Sequence, residues 1–126
     1  MNNKHQSQIQ ATEMRYLRRT AGKTKLDRIR NINIREELKQ TPLTKDIEDK
    51  QLRWYGHVNR MEKNRTPLLV MEAKTEGSRK RGRPRTTWLD NIEKAAAKRG
   101  KSLAEIKKIS RDRKKYREWL KEDPTP

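Results

Sequence analysis

The sequence contains no cysteine and no phenylalanine, and its six aromatic residues are three tryptophans and three tyrosines. Without cysteine there is no disulfide scaffold, no zinc finger and no zinc knuckle, and the redox compartment stays undetermined. Long apolar runs are missing as well. No window approaches the roughly 20 apolar residues of a membrane span, and the opening "MNNKHQSQIQ" has no apolar run to serve as a signal peptide. The expectation is an intracellular protein, nuclear or cytoplasmic, and not secreted. Isoleucine, leucine and valine number 20 in 126 residues, a shortage that argues against a thick core and makes any order local and helical.

Positive charge is what the chain has in excess: 34 Lys and Arg against 17 Asp and Glu, a net charge of +17. The natural partner of such a chain is a polyanion, because each neutralised phosphate releases condensed counterions. RNA and/or DNA is therefore the expected partner. A membrane surface is not, since it calls for a long basic helix with a continuous apolar face, and the apolar stripes here are narrow and interrupted.

Catalytic chemistry has little to draw on. His57 is the one histidine in a segment with helical pattern, with no cysteine, second histidine or convergent carboxylates to complete a metal site, and it reads as a surface or contact residue. Asp27, Asp46, Asp49, Asp90 and Asp112 are isolated in sequence and suit caps, dipole partners or ion pairs. There is no Gly-rich phosphate loop and no nucleophile motif, so no enzyme activity and no cofactor are expected.

Apolar spacing predicts an all-α chain of four to six short helices, with flexible termini. "SQIQATEMRYLRRTAGKTK" is helical with Gly22 as its stop, and it sets Arg15, Arg18 and Arg19, candidates for phosphate contacts, largely opposite the apolar edge of Met14, Leu17 and Ala21. "TKLDRIRN" and "NIREELKQ" are shorter candidates. The clearest helix is "TPLTKDIEDKQLRWYGHVNRM", with Thr41 as cap, Pro42 at its first position, and Leu43, Ile47, Gln51, Trp54, Val58 and Met61 on one face. On that reading Trp54 is core, Tyr55 is exposed, and Gly56 marks a close helix contact. Trp54 and Tyr55 with Arg53 are candidates for stacking on bases, and with Trp54 in the core Tyr55 is the one left exposed to do so.

"RTPLLVMEAK" is a two-turn helix capped by Thr66. "TTWLDNIEKAAAKRG" is marked as a helix by Thr86 or Thr87 as cap and Gly100 as stop. "KSLAEIKKISRDRKKYREWLKE" opens on a Ser102 and Glu105 capping box and continues at helical spacing through Arg113, Tyr116 and Leu120, which predicts an antiparallel hairpin anchored by Trp88 and Trp119. The expected organisation is a helical subdomain over 1–73, a basic linker over 74–85, a helical hairpin over 86–121 and a tail over 122–126.

The linker "KTEGSRKRGRPR" carries six Lys or Arg and a single Glu. Its Arg81-Gly82-Arg83-Pro84 core resembles an AT-hook, in which an extended backbone lies in a narrow minor groove. Gly82 would let the backbone reach the groove floor, Pro84 would keep the chain extended, and Arg79, Lys80 and Arg85 would hold flanking phosphates. Phosphate binding without sequence preference is the first reading, and A·T-rich recognition and a nuclear import signal stay open beside it.

Taken in order, "EMRYLRRTAGKTKLDRIRN", "IREEL", "QLRWYGHVNRM", "RTPLLVMEA" and "RKRGRPRTTWLDNI" resemble the C-terminal region of LINE-type (non-LTR) retrotransposon reverse transcriptases, downstream of the polymerase domain. The resemblance runs from about Thr12 to about Trp119, and "LRWYGHVNRM" and "GRPRTTWLD" are its most specific blocks. It implies a fragment or relic of a protein that couples an endonuclease to an RNA-directed DNA polymerase. The chain departs from that family in lacking a Tyr-x-Asp-Asp polymerase motif, an endonuclease carboxylate and histidine set, and the Cys/His knuckle of some relatives. What the resemblance leaves is a non-catalytic tail that holds template RNA or target DNA beside a polymerase domain. A protein-interaction module docking on that polymerase body, and a translated relic without function, are the alternatives.

Overall fold

The computed structural model describes residues 3–74, 76–78 and 80–122. Among them lie seven α-helices and one turn of 3-10 helix, and no strand. The helices are α1 (Asn3–Thr20), α2 (Asn31–Glu37), α3 (Leu43–Asn59), α4 (Thr66–Glu72), α5 (Trp88–Ala97), α6 (Leu103–Ser110) and α7 (Arg113–Lys121), with the 3-10 turn at Lys25–Asp27. The all-α expectation holds, with more helices than the four to six expected. The termini expected to be flexible fall largely on residues 1–2 and 123–126, outside those described. Packing divides the chain into two compact units, Met1–Asp49 and Lys50–Pro126, and the boundary falls inside α3.

In the first unit α1 buries Met14 and Leu17 against Ile34 of α2, with Ala21, Ile29 and Leu38 around them. Gly22 stops α1 as its position suggests: it takes φ +66°, and the Lys23 N–H reaches back to the Arg18 carbonyl at 2.8 Å. Glu13 ties three elements together. One carboxylate oxygen pairs with Arg35 of α2 at 2.7 Å, and the other accepts from the Leu43 N–H at 3.0 Å, satisfying an otherwise unpaired donor at the start of α3. "TKLDRIRN" is only the 3-10 turn, closed by Asp27, whose carboxylate accepts from the Thr24 N–H and hydroxyl. Those two bonds hold the Asp27 carboxyl below its ordinary range.

The second unit has the larger core: Leu52 and Tyr55 of α3, Ile92, Ala95 and Ala96 of α5, Ile106 of α6, and Tyr116 and Trp119 of α7. Met71 of α4 and Trp88 of α5 pack at its edge. The expected division at 74–85 is therefore corrected. Residues before the basic segment and residues after it share one core, so that segment is a loop within a unit: the three helices beyond it bury their apolar faces against α3, Met71 of α4 and one another.

Local signals set the ends of these helices. Thr87 and Asp90 form a reciprocal capping box on α5, and Ser102 and Glu105 form another on α6. The Ser102 N–H and hydroxyl hold the Glu105 carboxyl below its ordinary range. Gly100 ends the α5 segment at φ +70°, with the Lys101 N–H on the Ala96 carbonyl. The single helix expected beyond Ser102 is corrected to two: Asp112 takes an extended conformation and its carboxylate accepts from the Lys114 and Lys115 N–H groups, starting α7 afresh. Caps also fall one residue early in α4, where Arg65 stands in place of Thr66.

Gly56 is where α3 and α7 meet. A Cβ built there would collide with the Tyr116 ring. The glycine lets that ring lie on the α3 backbone, and the Tyr116 hydroxyl donates to the Leu52 carbonyl at 2.5 Å. Alanine in an ordinary helix interior gains about 1 kcal/mol over glycine. Gly56→Ala is instead expected to cost about 1–3 kcal/mol in urea unfolding, because the methyl overpacks the ring. In a Tyr116→Leu background that penalty should largely vanish; an equal stabilisation by alanine in both backgrounds would contradict the contact.

Candidate nucleic-acid interface

The buried stripe of α3 is Leu52, Tyr55, Gly56 and Val58. It shares Val58 with the expected face of Leu43, Ile47, Gln51, Trp54, Val58 and Met61 but is rotated from the rest of that face, toward the side where the Tyr116 ring packs on Gly56. Tyr55 is accordingly 2% exposed and Trp54 50% exposed, the reverse of the expectation for both. Tyr55 packs against Trp88 with ring centroids 6.2 Å apart and offers no face to a base.

Trp54 opens into a groove of about 740 Å³ whose walls are α3, continued through Arg60, and α7. Lys50, Arg53, Trp54, His57 and Arg60 line one wall, and Arg113, Tyr116, Arg117, Leu120 and Lys121 the other. Both sets recur at three- and four-residue spacing, which places each along one helix face. The lining holds six Lys or Arg and no carboxylate. His57 stands against Trp54 with ring centroids 5.4 Å apart and planes at 46°.

The floor is fixed rather than adjustable. Arg60 donates through Nη1 to the Ser110 carbonyl at 2.8 Å and its guanidinium lies 5.8 Å from the Tyr116 ring centroid. Burial pushes the Tyr116 phenol well above its ordinary range, so it stays a neutral donor. Behind it, Arg99 sits 5.9 Å from the Trp119 ring centroid and donates to the Leu120 and Glu122 carbonyls at the end of α7.

The other sequence-derived candidates are spread more widely. Arg53 is exposed and in the groove. Arg15 and Arg19 are exposed on α1, in the first unit. Arg18 is half-buried and committed to structure, its Nη2 donating to the Ile29 carbonyl and the Asn31 Oδ1, both at 2.8 Å. Lys80, Arg81, Gly82, Arg83 and Arg85 are exposed on irregular backbone, and Arg79 lies outside the described residues. Gly82 takes φ +148° with open space around it, a conformation that L side chains rarely adopt. None of the residues 80–85 lines the groove; Pro84 and Arg85 border a separate hollow with Asp90, Glu93 and Lys94.

Trp54 is a stacking candidate that the sequence reading sets aside as core, and Lys50, His57, Arg60, Arg113, Arg117 and Lys121 are not singled out by the sequence as binding residues. The four-residue spacing of Arg113, Arg117 and Lys121 was a readable signal, hidden by assigning Arg113 to the apolar face of a longer helix. Among the described residues, no group of three or more His, Asp or Glu side chains is placed to hold a metal ion, and no helix is long and apolar enough to cross a membrane. Comparison with protein-family models, curated proteins and solved structures finds no match for this chain.

The exchange of places between Trp54 and Tyr55 is directly measurable. Tyr55→Ala is expected to cost about 3–5 kcal/mol in chemical denaturation, as for other large core truncations, whereas Trp54→Ala should change stability by about 0.5 kcal/mol or less. Equal losses would place both rings in the core.

Proposed function

We propose that this chain is a non-catalytic nucleic-acid-binding segment that holds RNA or DNA through backbone phosphates. The observation that carries the proposal is the groove between α3 and α7, with six cationic side chains and no carboxylate in its lining. A groove of one charge sign concentrates counter-ions of the other, and regularly spaced phosphates suit cations repeated along a helix face. The exposed Lys80, Arg81, Arg83 and Arg85 add a second basic stretch on an irregular backbone able to follow a sugar-phosphate chain.

The resemblance of "LRWYGHVNRM" and "GRPRTTWLD" to the C-terminal region of LINE-type reverse transcriptases supports the same reading from the sequence. In that setting the segment holds template RNA or target DNA beside the polymerase domain, and the chemistry belongs to the rest of the parent protein.

Filter-binding titrations against salt test the assignment. The full chain is expected to bind with a steep negative slope of log affinity against log salt. Arg113→Ala with Arg117→Ala should flatten that slope by roughly 0.7 per lost contact on a single strand and roughly 0.9 on duplex DNA, and Arg81→Ala with Arg83→Ala should act likewise. Slopes identical to that of the parent chain in both double variants would overturn the proposal.

A further inference from the structure

We infer that the groove between α3 and α7 takes an unpaired base stacked on Trp54, making single-stranded nucleic acid the preferred ligand class. The inference rests on the nucleic-acid-binding reading above and goes beyond it, because cations alone do not discriminate a single strand from a duplex.

Three observations carry it. The chain has few aromatic side chains, and in the second unit Tyr55, Tyr116 and Trp119 are buried while Trp88 packs at the core edge. Trp54 is the exception there, half exposed, and it opens into the cationic groove rather than onto an arbitrary surface. His57 stands one helical turn away with ring centroids 5.4 Å apart, so the two rings make one aromatic surface in the groove. Finally, Arg53 beside it and Arg113 and Arg117 across it line the same groove, which supplies cations for the phosphates of a strand whose base stacks there. Indole faces combined with basic grooves are the general platform for single strands, whose bases are free to turn outward. A duplex keeps its base faces stacked on one another and offers Trp54 only an edge or a phosphate. The groove volume, about 740 Å³, suits a nucleotide or two rather than a double helix.

Fluorescence-anisotropy titrations separate stacking from charge. The probes are oligouridylate, oligodeoxythymidylate, a mixed-sequence DNA duplex and heparin, a polyanion without bases. Trp54→Ala is expected to weaken single-strand binding roughly 5- to 100-fold, the range found for removing a base-stacking aromatic, with duplex and heparin affinities unchanged. The slope against salt should not move, because the lost contact carries no charge. Trp54→Phe should retain most of the single-strand affinity. A loss in either single-strand arm supports the inference. Should Trp54→Ala disturb the fold by circular dichroism, quenching of tryptophan fluorescence by oligouridylate, present in the parent chain and reduced in the Trp54→Phe variant, carries the test instead. Unaltered single-strand affinity and unreduced quenching, in a chain that still binds every polyanion with a steep slope, overturn the stacking inference and leave the proposed function standing. Failure of the parent chain to bind any of the four probes overturns both.

Discussion

The contact between the Tyr116 ring and the bare backbone at Gly56 is the constraint on which the second unit depends. It sets how closely α7 approaches α3, and the hydroxyl bond to the Leu52 carbonyl fixes where along α3 that approach occurs. A larger residue at 56 would separate the helices. The same ring faces the groove, so one side chain joins the core to the cationic surface. Burial keeps the phenol neutral, and Arg60 lies close to its face while bonded to the Ser110 carbonyl. A helix pair with few large apolar residues gains specificity from this arrangement, since no other register of α7 on α3 offers a glycine beneath the ring and a carbonyl at the hydroxyl.

That clasp has an electrostatic consequence. Bringing α3 and α7 together gathers six cationic side chains around one groove with no carboxylate in its lining, in a chain whose net charge is +17. Like charges held at close quarters destabilise the compact state, and the cost is relieved by salt or by a bound polyanion. Acidic residues elsewhere are occupied differently: Asp27, Asp90, Glu105 and Asp112 cap helices, and Glu13 pairs with Arg35 while closing the start of α3. The short helices need those caps because their apolar faces are small. α3 and α7 carry Asp46, Glu48, Asp49 and Glu118 as well, and none of these lines the groove.

Much of this organisation is readable in the residues. Gly22, Gly100, Thr87 and the Ser102 and Glu105 pair announce helix ends through local chemistry, and local chemistry survives folding unchanged. Gly56 is legible as a close contact because a glycine within a strongly periodic helix needs a reason. Its partner is not legible, since Tyr116 is 60 residues away and helical spacing says nothing about which face of another helix will meet it. The error over Trp54 and Tyr55 follows from this. Counting apolar residues favours the face with Leu43, Ile47, Trp54 and Val58, whereas the buried stripe keeps Val58 and otherwise lies on the side where Tyr116 meets Gly56. The groove was invisible for the same reason: each wall is a basic helix face in the sequence, and only the contact between α3 and α7 makes them one site. The 74–85 segment looked like a boundary because composition changes there, yet composition reports solvent exposure and not where packing divides.

The proposed nucleic-acid site is the groove between α3 and α7 rather than the basic segment alone. Backbone and tryptophan indole N–H resonances of the full chain, followed by NMR during titration with a short oligouridylate, test it most directly. The largest shifts are expected at the Trp54 indole and along Lys50–Arg60 and Arg113–Lys121, with smaller changes at 80–85. Shifts confined to 80–85, with the Trp54 indole and α7 unmoved at saturation, would contradict it.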